Sequence, residues 1–345
     1  MVKKAVRRPT MADVAAEAGV GPATVDRVLN ERGNVSEDVR RKVLAVAREM
    51  GLRRKLPPSY RPMIRINLVL PRPDLPLLEH MAQEFRKIVS MTDRSLNLQI
   101  TTLPDERPES VARALSSTTC NAVIVYAQDD PVIRTAIDQL ADRAIPVVTM
   151  ISDLPGTRRL AYAGTNHRAA GRSAAFFICS MASGPGPIVI VCNHLGFQSH
   201  ADRVAGFRDY LATSGPGYEI ARIVEGHDDR GRTETRLRAA FQDIPETVAV
   251  YNVGAANLGV RSAIEADVAP RRPLFLGHEL TIHTAKMLRD GIMTLTIDQS
   301  PRLQAQFAVD VLMDYFGYEG VPVSPPYVST VPIVLYSAEN IPEGR

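Results

Sequence analysis

At 345 residues the chain exceeds one ordinary domain and can bury two or three cores. Its 45% hydrophobic content and mean hydropathy of −0.07 describe a globular protein, and its longest apolar runs, such as Ile188 to Cys192, are strand-sized and far too short to cross a bilayer as a helix. The net charge of +3 conceals an asymmetry: residues 1–65 hold 15 Lys+Arg against 7 Asp+Glu, the remainder 26 against 31, so positive charge gathers on the N-terminal segment as phosphate binding requires.

The chain opens with MVKKAVRRPT, basic but without an apolar signal core, so a cytoplasmic protein is expected. Cys120, Cys179 and Cys192 cannot all pair with one another and lack metal-ligand spacing; buried free thiols in a reducing compartment follow. From Thr10 to Asn30 the sequence TMADVAAEAGVGPATVDRVLN reads as two short helices around a glycine turn. Thr10 and Asp13 have capping-box spacing, and Val14, Ala15 and Ala18 make one narrow apolar face. Gly19 suits a C-cap that needs positive φ, and Pro22 suits a first helical turn. Val25, Val28 and Leu29 give the second helix its stripe. A third helix follows Ser36, with Glu37 and Asp38 near its positive dipole end and Val39, Val43, Val46, Ala47 and Met50 as its inward face. Turn length, caps and the supporting third helix point to a helix-turn-helix whose second helix enters the DNA major groove.

These segments, with GNVSEDVRRKVLAVAREMGL after them, resemble the headpiece of the lactose/galactose repressor (LacI-type) family, departing at Gly21 and Asp26, both usually serine. The resemblance implies a DNA-contacting set of Thr10, Pro22, Ala23, Thr24, Arg27 and Asn30. Pro22 and Ala23 occupy the positions that set half-site choice in the family, and neither can make a bidentate bond. Arg27 can, so base discrimination should lean on it, on methyl contacts and on DNA shape. Asp26 would face a phosphate or turn toward Arg27 or Arg32.

Residues 51–65, GLRRKLPPSYRPMIR, read as a linker because Pro57, Pro58 and Pro62 oppose helix. The family's hinge-helix pattern is absent there; Arg53 and Arg54 can still track phosphates, and Leu56, Tyr60 and Met63 are apolar wedges by analogy. The expected division is a headpiece over 1–52, a hinge linker over 53–63 and a core over 64–345.

From Ile64 onward short apolar runs alternate with amphipathic stretches. Strands are expected at 64–70, 96–102, 122–126, 146–150, 162–164, 187–192, 220–225, 248–252, 274–277 and 293–297, with helices between them. Val321–Tyr327 should be a surface turn before a last strand. So many βαβ units exceed one sheet, and two doubly wound lobes with a cleft at the carboxyl ends of their strands are the natural solution. The fold class is therefore an all-α helix-turn-helix headpiece plus an α/β core of two parallel-sheet lobes, which the family resemblance likens to type I periplasmic binding proteins.

Weaker family patterns run through this core: GTNHRAAGRSAA, where Gly171 should allow close helix packing, then SHADRVAGF, VYNVGAANLG, LGHELT and IDQSP. They nominate Ser199, Arg203, Asn252, Glu279 and Gln299 as effector contacts, with Asp153 a sixth; the Arg158–Arg159 pair reads as a solvated loop. A guanidinium, a carboxylate and amides past strand ends form the donor and acceptor set a polyol needs. Catalysis is not expected. His278 and His283 are five apart and cannot share a metal on one helix face, and there is no G-x-S-x-G elbow, P-loop lysine or G-x-G-x-x-G turn. The expectation is a DNA-binding regulator, a homodimer on a near-palindromic double-stranded operator, controlled by a small-molecule effector, most simply a sugar or sugar derivative; the alternatives are a corepressor-type regulator answering a non-sugar ligand such as a nucleoside or an acidic metabolite, and an α/β enzyme carrying a DNA-binding module. No cofactor, metal or membrane is called for.

Overall fold

A computed structural model describes residues 9–30, 32–33, 35–50, 52, 63–93, 95–266, 272–318, 320–329 and 331–343. Arg53, Arg54 and the rest of the linker through Pro62 lie outside these residues.

Three helices come first: α1 (Met11–Ala18), α2 (Pro22–Leu29) and α3 (Glu37–Glu49). Thr10 and Asp13 form a complete capping box, Gly19 caps α1 at φ 66°, and Pro22 opens α2. Val14, Ala15, Ala18, Val25, Val28 and Leu29 meet Val43, Leu44 and Ala47 in a closed core. The inward face of α3 is narrower than its periodicity suggests. Leu44 replaces Val39, Val46 and Met50 at the centre, because two eight-residue helices cover only the middle of a thirteen-residue one.

The first lobe runs β1 (Ile64–Pro71), α4 (Pro76–Thr92), β2 (Leu96–Leu103), α5 (Pro108–Ser116), β3 (Ala122–Val125), α6 (Pro131–Asp142), β4 (Val147–Met150) and β5 (Ala161–Ala163). Its five strands are parallel, in the order β2-β1-β3-β4-β5. Strands β3 and β4 are buried along their whole length, as sheets covered by helices on both faces require. The second lobe runs α7 (His167–Met181), β6 (Pro187–Cys192), α8 (Gln198–Ser214), β7 (Glu219–Glu225), α9 (Arg230–Asp243), β8 (Ala249–Asn252), α10 (Asn257–Glu265), β9 (Leu274–His278), α11 (Ile282–Arg289) and β10 (Leu295–Asp298). The chain then forms α12 (Pro301–Tyr315) and β11 (Val334–Tyr336), giving a six-stranded sheet β11-β10-β9-β8-β6-β7.

Two features depart from a simple alternation. The edge strand β11 is antiparallel to β10. Helix α12 leaves the second lobe's sheet yet packs in the first lobe's core, where Ala305, Ala308, Val309 and Leu312 join Ile66, Phe85 and Val148. The chain therefore crosses between lobes near Gly164, near Ser300 and again before Ile333. Ser329 Oγ donates to the Gly164 carbonyl (2.6 Å) and Ser300 Oγ to the Pro332 carbonyl (3.0 Å), tying the crossings together. No helix among the described residues is long and apolar enough to cross a membrane. Cys120 and Cys192 are buried free thiols, and Cys179 is half-buried.

Candidate functional site

Each sheet reverses strand order beside its first strand, between β1 and β3 in one lobe and β6 and β8 in the other. Side chains past the carboxyl ends there converge, which is where open α/β sheets hold ligands. The lobes are closed on each other at this edge. Phe197, in the loop after β6, buries itself in the first lobe's core and stacks on Tyr126 with ring centroids 5.0 Å apart. Ser199 N donates to Ser152 Oγ (3.1 Å), and Asp129 N donates to the Gly196 carbonyl (2.9 Å). Asn193 Nδ2 reaches both Glu106 oxygens (3.1 and 3.2 Å) and Asp228 Oδ2 (3.2 Å). Burial raises the pKa of both carboxyls above the usual carboxylate range.

Between the lobes lies a cavity of about 40 Å³ open to water centres, several times the roughly 10–15 Å³ that one water needs. Leu75, Leu77, Leu78, Tyr126 and Ile151 line it from the first lobe; Ser199, His200, Arg203, Asp228, His278 and Glu279 line it from the second, with Gln299 at a crossing.

Arg203 reaches the cavity because α7 and α8 cross in near contact. A Cβ on Gly171 would sit 1.9 Å from the Arg203 carbonyl oxygen, and one on Gly206 2.0 Å from that of Arg168. This is the close packing expected of Gly171. Arg203 is 3% exposed; its Nη1 donates to the Val253 carbonyl (2.6 Å) and its Nε to His167 Nδ1 (3.2 Å). Burial and the adjacent guanidinium hold the His167 pKa far below its usual value, so the ring is neutral and accepts at Nδ1. Nη2 has no partner.

Glu279 sits at φ 69° just past β9. Its carbonyl accepts from Thr284 Oγ1 (2.7 Å) and Thr296 Oγ1 (3.1 Å), which fix the turn. Its Oε1 accepts from Gln299 Nε2 (2.6 Å), whereas Oε2 and Gln299 Oε1 have no partner. Burial, reinforced by Asp298, pushes its pKa up to about 8. His200 Nδ1 and His278 Nδ1 are unpartnered as well, and burial keeps both rings neutral. Ile151 and Asp228 in the lining share Glu279's left-handed backbone, at φ 63° and 48°. Strain of this kind, on the order of 1–3 kcal/mol per residue, concentrates at functional sites.

Four of the six expected effector contacts thus line one cavity: Ser199, Arg203, Glu279 and Gln299. The other two are turned elsewhere. Asn252 Nδ2 donates to Asn257 Oδ1 (2.7 Å) and its Oδ1 accepts from Gly254 N (3.1 Å), so the amide is consumed in holding the turn before α10. Asp153 is held by Arg159 through two bonds (2.5 and 2.6 Å), with Thr149 Oγ1 at 2.9 Å. Arg158 pairs with Asp142, so neither arginine of that loop is free. His200 and His278 are lining residues that the sequence reading passed over, although each adjoins a nominated residue. Tyr126, Asp228 and the leucines before and within α4 gave no such signal. His278 ends a strand and His283 lies on an exposed helix face, so they share no element; no metal-binding group exists among the described residues.

On the headpiece, Pro22, Ala23, Arg27 and Asn30 are exposed along α2 and Thr24 is half-buried. Thr10 is committed to its capping box, where its N–H and its hydroxyl both lie 2.7 Å from Asp13 Oδ2. Asp26 accepts from Asn30 Nδ2 at its Oδ1 (2.8 Å) and at its carbonyl (3.0 Å).

The fold class is that of type I periplasmic binding proteins behind a helix-turn-helix. Residues 68–319 match the family model for the periplasmic binding protein domain, and residues 10–54 match that for bacterial regulatory proteins of the lacI family. The chain belongs to the LacI/GalR family of regulators. Both families are non-enzymatic, and their combination defines a ligand-responsive DNA-binding regulator. No curated protein matches in sequence. Among solved structures, the glucose-galactose binding protein GanP from Geobacillus stearothermophilus superposes with a TM-score of 0.74 at 21% identity, over 82% of this chain and 100% of that one. The Caulobacter myo-inositol binding protein bound to myo-inositol (0.71, 19%, 81% and 96%) and a Burkholderia graminis solute binding protein with D-arabinose (0.71, 19%, 81% and 96%) share the fold too.

Proposed function

We propose that the protein is a cytoplasmic transcriptional repressor. It would act as a homodimer that sets two headpieces in successive half-sites of a near-palindromic operator and releases them when a sugar or sugar derivative fills the cavity between the lobes. Residues 1–52 bind DNA, 53–63 link, and 64–345 sense the effector and dimerise. The observation that carries this reading is that three residues with buried, unpartnered polar atoms, Arg203 (Nη2), Glu279 (Oε2) and Gln299 (Oε1), line one cavity between the lobes. Each buried unsatisfied group costs about 1–3 kcal/mol, which a polar ligand relieves. That relief is available only in the closed arrangement, so ligand biases lobe closure and, through it, headpiece placement.

In the headpiece, Arg27 would read base edges, Pro22, Ala23 and Thr24 the surrounding surface, and Thr10 and Asn30 the backbone. Arg53 and Arg54 would follow phosphates. Thermal-shift screening of the full chain with sugars, followed by operator selection with and without the hit, tests the reading. A hit that raises Tm and weakens operator retention supports it; one that tightens retention makes the effector a corepressor. Selection of no duplex over random competitor, with or without effectors, refutes it.

A further inference from the structure

The two walls of the cavity differ in charge as well as polarity. Leu75, Leu77, Leu78, Ile151 and Tyr126 line it from the first lobe, and none of them carries a charge at neutral pH. On the second lobe, Arg203 is a buried guanidinium that forms no ion pair among the described residues. Two of its donors go to a carbonyl and a neutral imidazole, and Nη2 is left over. Among the described residues no carboxyl hydrogen-bonds or ion-pairs with it. Asp228 spends one oxygen on Ala255 N (2.7 Å) and the other on Asn193, and Glu279 is tied to Gln299. We propose that the effector presents a carboxylate to Arg203 Nη2 and an apolar ring face to Leu75, Leu77, Leu78 and Tyr126, making it an acidic derivative rather than a neutral sugar.

The proposal rests on the regulator reading above and narrows its ligand class. Glu279, raised to about 8, keeps its proton at neutral pH, so its free oxygen is a second donor rather than a repelling charge. The groups around that carboxyl are Asp298 at the end of β10, Arg203 on α8 and Gln299, with His200, His278 and Asp228 elsewhere in the lining. A ligand carboxylate beside Glu279 therefore loses affinity as pH rises through the Glu279 ionisation, whereas a neutral ligand does not.

The test uses the full chain and matched pairs: D-glucuronate with D-glucose, D-galacturonate with D-galactose, and cyclohexanecarboxylate with cyclohexylmethanol. Calorimetry should show at least one acid binding about tenfold or more tighter than its neutral twin. Its affinity should fall between pH 7 and pH 9 in the wild type and stay level over that range in Glu279→Gln. Arg203→Lys, which keeps the charge and loses the planar fork, should weaken the acid by about tenfold. Neutral members binding as tightly as acids, or no acid of the panel binding, overturns the proposal. Operator selection that still responds to a neutral ligand leaves the regulator reading standing when that happens, and loss of operator selection altogether brings that reading down instead.

Discussion

The first lobe contributes to the cavity almost nothing but hydrocarbon and one aromatic ring, and the second contributes nearly every hydrogen-bonding group. The difference teaches how the tasks divide. The apolar wall rewards closure by removing surface from water, at about 25 cal/mol per Å², and does so for any ligand of suitable shape. The polar wall, whose Arg203, Glu279 and Gln299 carry unpaired atoms, rewards only a ligand that completes them. On the proposed function, specificity belongs to the second lobe and closure to the first.

The largest effect should come from the polar wall. Arg203→Ala removes the buried guanidinium and is expected to cost ~100-fold or more in effector affinity, as losing one partner of a buried charged contact does, while operator binding persists. Calorimetry beside a mobility-shift assay checks both. Arg27→Ala is the converse: specific operator retention is lost and effector affinity kept, read by footprinting and calorimetry.

A smaller effect tests how Arg203 is held. Gly171→Ala places a methyl 1.9 Å from the Arg203 carbonyl, so α7 and α8 must part. A loss of about 1–3 kcal/mol of stability by chemical denaturation is expected, along with weakened effector binding.

Glu279→Gln sharpens the electrostatics. The folded-state pKa near 8 lies above the usual 4.5, so across that window the native state holds a proton the unfolded chain has released. Wild-type stability should therefore fall as pH rises from about 4.5 to about 8, by at most ~1.4 kcal/mol per unit from this group, and level off above it. The gap between wild type and Glu279→Gln, measured by Tm at pH 5 and pH 8, should move against the wild type at the higher pH. The smallest effect belongs to the apolar wall: Leu77→Ser, at a half-buried position, should weaken binding less than about tenfold for every ligand alike.

Helix caps, turn glycines and strand texture were legible because each is a local demand of the backbone, and the capping box at Thr10 and the glycine at 171 appear where local chemistry calls for them. Arg203 and Glu279 were legible through family pattern and strand-end position. What stayed hidden depends on contacts distant in sequence. Asn252 and Asp153 look the same in sequence as Glu279, yet a neighbouring amide and arginine consume them. Tyr126 enters the lining because Phe197, seventy-one positions later, stacks on it. Helix α12 reads as one more unit of the alternation, and only packing against Phe85 and Val148 assigns it to the first lobe.

The most direct test is the operator Kd as a function of effector concentration, in wild type and in Arg203→Ala. Coupling of ~1–3 kcal/mol predicts a shift of about 5- to 150-fold at saturation in the wild type and none in the variant. An operator affinity indifferent to every cavity ligand, or an equal shift in Arg203→Ala, would contradict the account.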